Sequence, residues 1–303
     1  MKVDVAVCSY KKPELLFKTL LSLKKVSEKF IDTIWICDDG GNDDSAIDFY
    51  NSDLFKNSLK PWKVNVRENT QRGGWWFTPV KGLKPTYLSF SKRIAYSIRG
   101  KIKGTGFSIL RENVRYQWAI DSTDKEYLFV IHDDVDFYAD VIDLMLRSLL
   151  TMEKPGIAGD LGQCWRCEYS ARGCTPLKVS HGDYPSRYWP NKEPESSGTN
   201  WPCRMNEWCC ILNVQTARYI EKKYDVLYGW FDNSGDTSAY WFYLLIKEGY
   251  QFSSIAEYGS NTYYLHADGG SGHSYWVDQG EGKKIYKKEI VIKEIQEKFN
   301  IKF

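Results

Sequence analysis

Apolar residues come along this chain in short runs, and each run closes on a polar or acidic tip. Val3 to Cys8 is a β-branched run closed by Ser9, Tyr10 and Pro13, after which Leu15, Leu16, Leu20, Leu21 and Leu23 recur at helical spacing. The pattern predicts strand, loop, helix. Ile31 to Cys37 predicts a second buried strand that ends at Asp38, Asp39, Gly40 and Gly41 and is followed by a helix-like stretch from Ala46 to Tyr50. Val64 and Val66 predict a third strand, and Tyr127 to Ile131 a fourth that ends in His132, Asp133 and Asp134. Strands joined by helices make βαβ units and hence a parallel sheet. Ligands of such a sheet collect beyond the carboxyl ends of its strands, so the tips after Cys8, Cys37 and Ile131 are expected to converge.

Farther along, Trp208 to Val214 predicts a strand, Thr216 to Tyr224 a helix, and Ser238 to Glu248 an aromatic-rich helix stopped by Gly249. Ile285 to Phe299 predicts an amphipathic helix, with Ile285, Ile292, Ile295 and Phe299 on one side and Lys and Glu on the other. Two stretches break the alternation. Asn69 to Gly106 is rich in Gly, Pro, Trp and Lys, and reads as a long excursion from the sheet. Gly162 to Pro202 has little periodicity and carries Cys164, Cys167 and Cys174, so it reads as an irregular region over the sheet. There is no internal repeat.

Composition narrows the partners. Lys and Arg number 41 against 39 Asp and Glu, a net charge of +2 that makes nucleic acid an unexpected partner. Aromatic residues are 16% of the 303, and rings with a polar edge stack well on the faces of sugars and bases. No stretch approaches the roughly 20 apolar residues of a membrane span, and the Met-Lys-Val-Asp-Val start lacks the apolar run of a signal peptide. The expected location is therefore the cytoplasm, with the 8 cysteines as thiols or metal ligands.

Chemistry concentrates at the acidic strand ends, Asp38-Asp39 and His132-Asp133-Asp134-Val135-Asp136. Carboxylates there suit a ribose hydroxyl or a divalent cation, which a sugar diphosphate needs to offset its charge. A single acidic turn after a strand is ordinarily loop capping; two at matching strand ends are harder to explain that way.

The residues from Val5 to Leu16, Trp35-Ile36-Cys37-Asp38-Asp39-Gly40, and Leu128 to Asp134 resemble the first strand and loop, the base-recognising second strand and the D-x-D strand of family 2 inverting glycosyltransferases. The likeness spans roughly residues 3 to 275 and departs from the family over residues 70 to 106 and 160 to 205. It implies a GT-A fold: α/β and Rossmann-like, a mostly parallel central sheet with flanking helices. Residues 1–282 would form this domain, with irregular acceptor-side insertions at about 70–106 and 160–205, and residues 283–303 a C-terminal amphipathic helix. The resemblance further implies that Cys8, Ser9, Tyr10 and Asp39 hold the nucleobase, that Arg111 touches the nucleotide, that Asp133 faces the ribose and that Asp134 binds the metal. His132 replaces the first acid of an Asp-Asp-Asp pattern; an alternative register takes Asp134-Val135-Asp136 as the D-x-D, and Asp134 is a ligand in both.

Glu207 to Leu212 followed by Gly229 to Asp236 looks like the acceptor strand and the loop of the family's catalytic base, which makes Asp236 the candidate base, with Asp232 as competitor and helix capping as the plain alternative. Leu265 to His273 resembles a late loop from which relatives supply a histidine to the metal, so His266 joins Asp134 as a candidate ligand, better suited to Mn²⁺ than to Mg²⁺. Cys164, Cys167, Cys174 and Cys203 offer a CxxC pair and a poorly spaced second half for structural Zn²⁺, against simple packing; Cys209 and Cys210 lie in a strand and read as packing. Trp75, Trp76, Trp165, Tyr188, Trp189 and Trp201 sit in the irregular stretches, where acceptor sugars could stack, though for any one ring packing is the commoner use. Lys283, Lys284, Lys287, Lys288 and Lys293 suggest peripheral contact with an anionic membrane, but Glu289, Glu294 and Glu297 dilute them toward a solvated surface helix.

The expectation is a metal-assisted hexosyltransferase using a nucleoside-diphosphate sugar, UDP-sugar favoured, and a glycan, lipid-linked or other hydroxyl acceptor in polysaccharide synthesis. A nucleotidyltransferase would need a Gly-rich phosphate loop after the first strand, and Cys8 to Glu14 contains no glycine. A catalytically silent carbohydrate-binding protein on the same fold is the reading from another class.

Overall fold

The computed structural model describes residues 1–39, 44–69, 79–84, 89–102, 104, 106–162, 173–182, 204–230, 237–255, 262–266, 276–278 and 284–303. The chain opens as the pattern predicts, with β1 (Val3–Ser9), α1 (Pro13–Ser27) and β2 (Ile31–Asp38). Pro13 takes the first turn of α1, where its missing N–H is no loss, and Glu14 and Lys24–Lys25 lie at the helix ends that favour their charges. Next come α2 (Asp44–Asn51), α3 (Asp53–Ser58) and β3 (Lys63–Glu68). The stretch read as an irregular excursion instead contains a 13-residue helix, α4 (Phe90–Ile102). Lysines, serines and a glycine interrupt its apolar positions, which recur every fourth residue on an outward side, so it lacks the pattern of a core-facing helix.

Then follow α5 (Gln117–Ser122), β4 (Tyr127–His132), β5 (Val135–Phe137), α6 (Val141–Leu150) and β6 (Pro155–Leu161). β6 begins in a Pro-Gly pair and was not anticipated. After α7 (Pro176–Ser180) the chain forms β7 (Met205–Asn213), α8 (Val214–Tyr224), α9 (Ala239–Lys247), β8 (Gln251–Ser254) and β9 (Tyr264–His266). It ends with β10 (Trp276–Asp278), β11 (Lys284–Tyr286) and α10 (Lys288–Phe299). Ile285 therefore belongs to the β10–β11 ribbon, opposite Val277, and the last helix starts three residues later than its periodicity suggested.

Among the described residues the central sheet has seven strands in the order β3-β2-β1-β4-β7-β6-β8. All neighbours are parallel except at β7, which runs against both β4 and β6. The expected mixed α/β architecture with a mostly parallel sheet is present, and β7 is its one reversed strand. A separate two-stranded ribbon pairs β5 with β9, setting Val135 opposite His266.

Strand side chains alternate between two cores, as a sheet covered on both faces requires. Val3, Val5, Val7, Phe129, Ile131, Cys209 and Ile211 face a core shared with α1, α6 and α10. Ala6, Leu128, Val130, Cys210 and Leu212 face a second core built with α5, α8 and α9. Both Cys209 and Cys210 are buried free thiols, so their role in packing stands. Asp4, buried in β1, is matched by three donors: Thr33 N–H, Trp35 Nε1–H and the Thr123 hydroxyl.

The C-terminal helix is part of the first core. Val291 and Ile295 of α10 are fully buried there beside α1. Lys18, buried in α1, bridges Asp136 at 2.8 Å and Glu294 of α10 at 2.7 Å. The apolar side of α10 is thus occupied by protein. Ile295→Ala should lower unfolding free energy by about 3 kcal/mol, the usual cost of a core cavity, seen as a lower denaturant midpoint at unchanged slope; a loss under about 1 kcal/mol would show that α10 is only an appendage.

Candidate functional site

Backbone hydrogen bonds lock three strand ends together before any side chain acts. Asp39 N–H donates to Ser9 C=O at 2.8 Å and Asn69 N–H to Asp38 C=O at 2.8 Å, while the Asn69 amide donates to the Asp39 carboxylate. The tip of β4 joins them through side chains: Ser9 Oγ–H donates to Asp133 Oδ2 at 3.1 Å and Lys12 Nζ to Asp133 Oδ1 at 2.8 Å. Cys8 and Cys37 are register partners. The hydrogen bond between their thiols, followed by burial and the neighbouring Asp39 charge, raises the Cys8 pKa, so Cys8 is a neutral thiol. Tyr10 follows directly after β1, with Lys11 Nζ 5.5 Å from its ring centre.

The turn from β4 to β5 is stitched to α1. Thr19 Oγ–H donates to Asp133 C=O at 3.0 Å and accepts from Val135 N–H at 3.1 Å, and Ser22 Oγ accepts from Phe137 N–H at 3.0 Å. This fixes the backbone of Asp133 and Asp134. The β5–β9 pairing then brings His266 in from 132 positions beyond Asp134 in the chain. His266 Nε2 lies 3.2 Å from Asp134 Oδ1 and 3.2 Å from His132 Nδ1, and His132 Nδ1 lies 4.0 Å from Asp134 Oδ1. Ligand atoms of all three residues fall within 4.8 Å of one another. Trp208 stacks on the His266 ring with centres 4.8 Å apart and holds its plane.

These residues fit a divalent cation. Asp134 Oδ1 is buried and makes no hydrogen bond among the described residues, the state expected of an atom meant for a metal. Burial opposes ionisation of Asp134, but His266, Lys12 and His132 outweigh it and hold the carboxyl well below its ordinary range, so it offers a full negative charge. Two imidazole nitrogens with one carboxylate favour Mn²⁺ over Mg²⁺. His132, read from sequence as a replacement for an acid, is thus a third candidate ligand. Asp136 faces Lys18 instead, so in the alternative D-x-D register only Asp134 reaches this cluster.

Sequence reasoning missed Glu207, at the start of β7. Its Oε1 is 3.6 Å from His132 Nε2 and 3.8 Å from Arg115 Nη1, and Oε2 is bonded by Arg204. Burial would keep Glu207 protonated, yet Arg204, His132 and Arg115 hold its pKa well below the usual value. The carboxylate therefore faces the side of His132 away from the cluster, the position from which an acid fixes a ligand's tautomer. Its only sequence signal was an acid directly before Trp208.

Arg111 engages Asp121 and Glu221, on α5 and α8, with Nη2 2.6 Å from Asp121 Oδ1 and 2.8 Å from Glu221 Oε2. Arg115, four residues later, is the guanidinium that pairs with Glu207, Nη1 to Oε1 at 3.8 Å; burial opposes its charge, but the ionised Glu207 and Asp39 help hold it protonated. Its backbone is pressed against Gly229, where a Cβ would sit 1.9 Å from Arg115 O, so only glycine fits.

The structure therefore groups Ser9, Cys8, Asp39 and Asp133 at the tips of β1, β2 and β4, and Asp134, His132 and His266 beside them. Asp236 and Asp232 lie outside the described residues, as do Cys164, Cys167, Cys203, Trp75, Trp76, Trp165, Tyr188, Trp189 and Trp201. Cys174 is described, and it packs against the second core.

No family model matches the chain, and no curated protein matches it in sequence. Solved structures share its outline at low identity. A mannosyltransferase from Pyrobaculum calidifontis, in complex with GDP-Man and Mn²⁺, is 11% identical over 84% of this chain and 54% of that one, with a TM-score of 0.46. Core-mannan synthase A from Aspergillus fumigatus, in its Mn/GDP form, is 10% identical over 96% and 82%, with a TM-score of 0.42. Mouse xyloside xylosyltransferase 1 is 9% identical over 90% and 100%, with a TM-score of 0.46. The chain spans about half the length of the mannosyltransferase. Likenesses this loose carry no chemistry, which rests on the side chains.

If Glu207 orients His132, Glu207→Gln should weaken Mn²⁺ binding by about 10- to 100-fold, the usual cost of losing such a partner, while Glu207→Asp restores part of it. Calorimetric titration of Mn²⁺ into the three proteins checks this; equal affinities would leave Glu207 a purely structural charge.

Proposed function

We propose that this chain is a glycosyltransferase of the GT-A type that moves a sugar from a nucleoside-diphosphate donor, UDP-sugar favoured, to a hydroxyl of a glycan or related acceptor. One observation carries the reading: His132, Asp134 and His266 converge at the end of β4, beside the locked tips of β1 and β2. A nucleoside held at those tips would place its diphosphate toward the cation ligands, as the rule for open α/β sheets anticipates.

In this reading Asp39, held by Asn69, and the neutral Cys8 with Ser9 and Tyr10 receive the base, while Asp133, fixed by Ser9 and Lys12, faces the ribose. Lys12 Nζ, 3.9 Å from Asp134 Oδ2, adds a fixed positive charge; burial opposes it, but Asp133 and Asp134 raise its pKa and keep it protonated. His132, Asp134 and His266 would hold Mn²⁺, which when bound neutralises the diphosphate and eases its departure. Asp236 is the base that takes the proton from the acceptor hydroxyl, on the face opposite the leaving group, so that transfer inverts the sugar. The short connection from Ser9 to Pro13 contains no glycine and offers no phosphate cradle of the nucleotidyltransferase kind.

Asp134→Ala should abolish Mn²⁺-dependent binding of UDP and UDP-sugars in a thermal-shift assay while leaving the melting temperature without ligand nearly unchanged. Nucleotide binding that persists with full Mn²⁺ dependence would remove Asp134 from the ligand set.

Asp236→Asn should lower turnover by at least about 10², the lower range for general-base assistance, with donor affinity unchanged because the base acts on the acceptor. Asp232→Asn should cost less than about tenfold if it only supports the loop. A larger loss at Asp232 would exchange the two roles, and donor hydrolysis undetectable in the wild type with Mn²⁺ would favour a silent sugar-binding protein.

A further inference from the structure

Helix α4 is oriented inside out. Phe90, Ile94, Ile98 and Ile102 follow one another every four residues and are 71%, 44%, 51% and 76% exposed. Four-residue steps drift by about 40° around a helix, so these side chains form one stripe about 120° wide. Lys92, Arg93, Tyr96, Ser97 and Gly100, on the other side, are the half-buried or buried positions of the helix. A surface helix of a globular protein turns its apolar stripe inward; here the stripe faces solvent, and exposed Phe107, with Lys101 Nζ 5.6 Å from its ring centre, lies just beyond the helix end.

Charge identifies the occupant of this face. Between Glu68 and Glu112 the sequence carries nine Lys and Arg and no Asp or Glu, in a chain whose net charge is only +2. Within α4 itself Lys92, Arg93, Arg99 and Lys101 meet no acid of their own helix. At 13 residues α4 is too short to span a bilayer, and no helix among the described residues is long and apolar enough to do so. A basic helix with an outward aliphatic stripe matches an anionic lipid surface, into which the isoleucines insert while Arg and Lys meet the headgroups. A nucleic acid would use the positive charge but leave the aliphatic stripe in water, and an apolar protein partner would use the stripe but not the excess of positive charge in this segment.

We propose that α4 docks this protein on the surface of an anionic membrane. The C-terminal helix, whose lysines suggested such a contact, has already committed its apolar side to the core. This docking goes beyond the transfer chemistry proposed above and does not depend on it.

The test is co-sedimentation of the full chain with phosphatidylcholine vesicles with and without phosphatidylglycerol. The wild type should bind the phosphatidylglycerol vesicles at least about tenfold more tightly, and added salt should abolish the preference. The double variant Ile94→Asp/Ile98→Asp should lose at least about tenfold in partitioning with an unchanged melting temperature, since both residues are exposed. Arg99→Glu/Lys101→Glu should lose the preference for phosphatidylglycerol. Absent or composition-independent vesicle binding, or binding equal in wild type and variants, would overturn the proposal. So would a concentration-dependent dimer abolished by Ile94→Asp/Ile98→Asp, or binding of single-stranded RNA, with vesicles ignored.

Discussion

Three carboxylates buried within one small volume at the ends of β4 and β7 set the terms for the rest of this structure. Asp133, Asp134 and Glu207 are each less than a tenth exposed, and burying a charge without a counter-charge costs several kcal/mol. Two of the three are answered by fixed cations: Asp133 by Lys12, and Glu207 by Arg204 and Arg115. Asp134 is answered mainly by two imidazoles and, at 3.9 Å, by an ammonium already held by Asp133. An imidazole can supply a positive charge only by taking up a proton, and it then loses the lone pair with which it would bind a metal. The charge arrangement is therefore complete except at the point where a divalent cation would sit, and affinity for one would follow from the cost of leaving Asp134 as it is.

The reversed strand makes this concentration possible. In a wholly parallel sheet only carboxyl ends of strands would face the ligand edge. Because β7 runs antiparallel to β4, with Cys209 opposite Ile131, its beginning lies at that edge, and Glu207 stands behind His132 as a result. The β5–β9 ribbon plays the complementary part, since pairing Val135 with His266 brings a candidate ligand from the far end of the chain without altering the sheet. Trp208, next to Glu207, then fixes the plane of His266, so one dipeptide of β7 touches both histidines.

What was legible in the sequence was whatever depends on local pattern. The strands from Val3, Ile31 and Tyr127 announce themselves because both faces are largely buried and most positions are apolar, with Asp4, Asp32 and Thr33 the exceptions before their tips, and their acidic ends mark where ligands are expected to gather. Residues that act through long-range pairing were hidden. Glu207 looks like any polar start of a strand, and His132 looks like a lost acid until His266 is placed beside it. Arg111 and Arg115 are four residues apart and chemically identical; that Arg115 is the one beside Glu207 goes with Gly229 letting the backbone of Arg115 come close, a contact invisible without the fold. Helix α4 escaped notice for the opposite reason. A core-facing helix advertises itself by hiding its apolar stripe among polar neighbours, whereas α4 presents that stripe outward within a basic, Gly- and Pro-rich stretch.

The root of the basic segment also packs against the chain that leads into Arg115. Val80 pairs with Ile109 at the root of the excursion, and both pack with Val114, Leu227 and Trp230 in a small separate core. Trp230 directly precedes residues 231–236, which include Asp232 and Asp236, and Val114 directly precedes Arg115. These five packed side chains therefore join the root of the excursion to the backbone that runs into residues 231–236 on one side and into Arg115, which pairs with Glu207, on the other. Packed cores respond to force by holding or by switching, not by stretching. A displacement at the root of the excursion would thus be felt together at Arg115 and at the backbone entering residues 231–236, because both are held by the same small core.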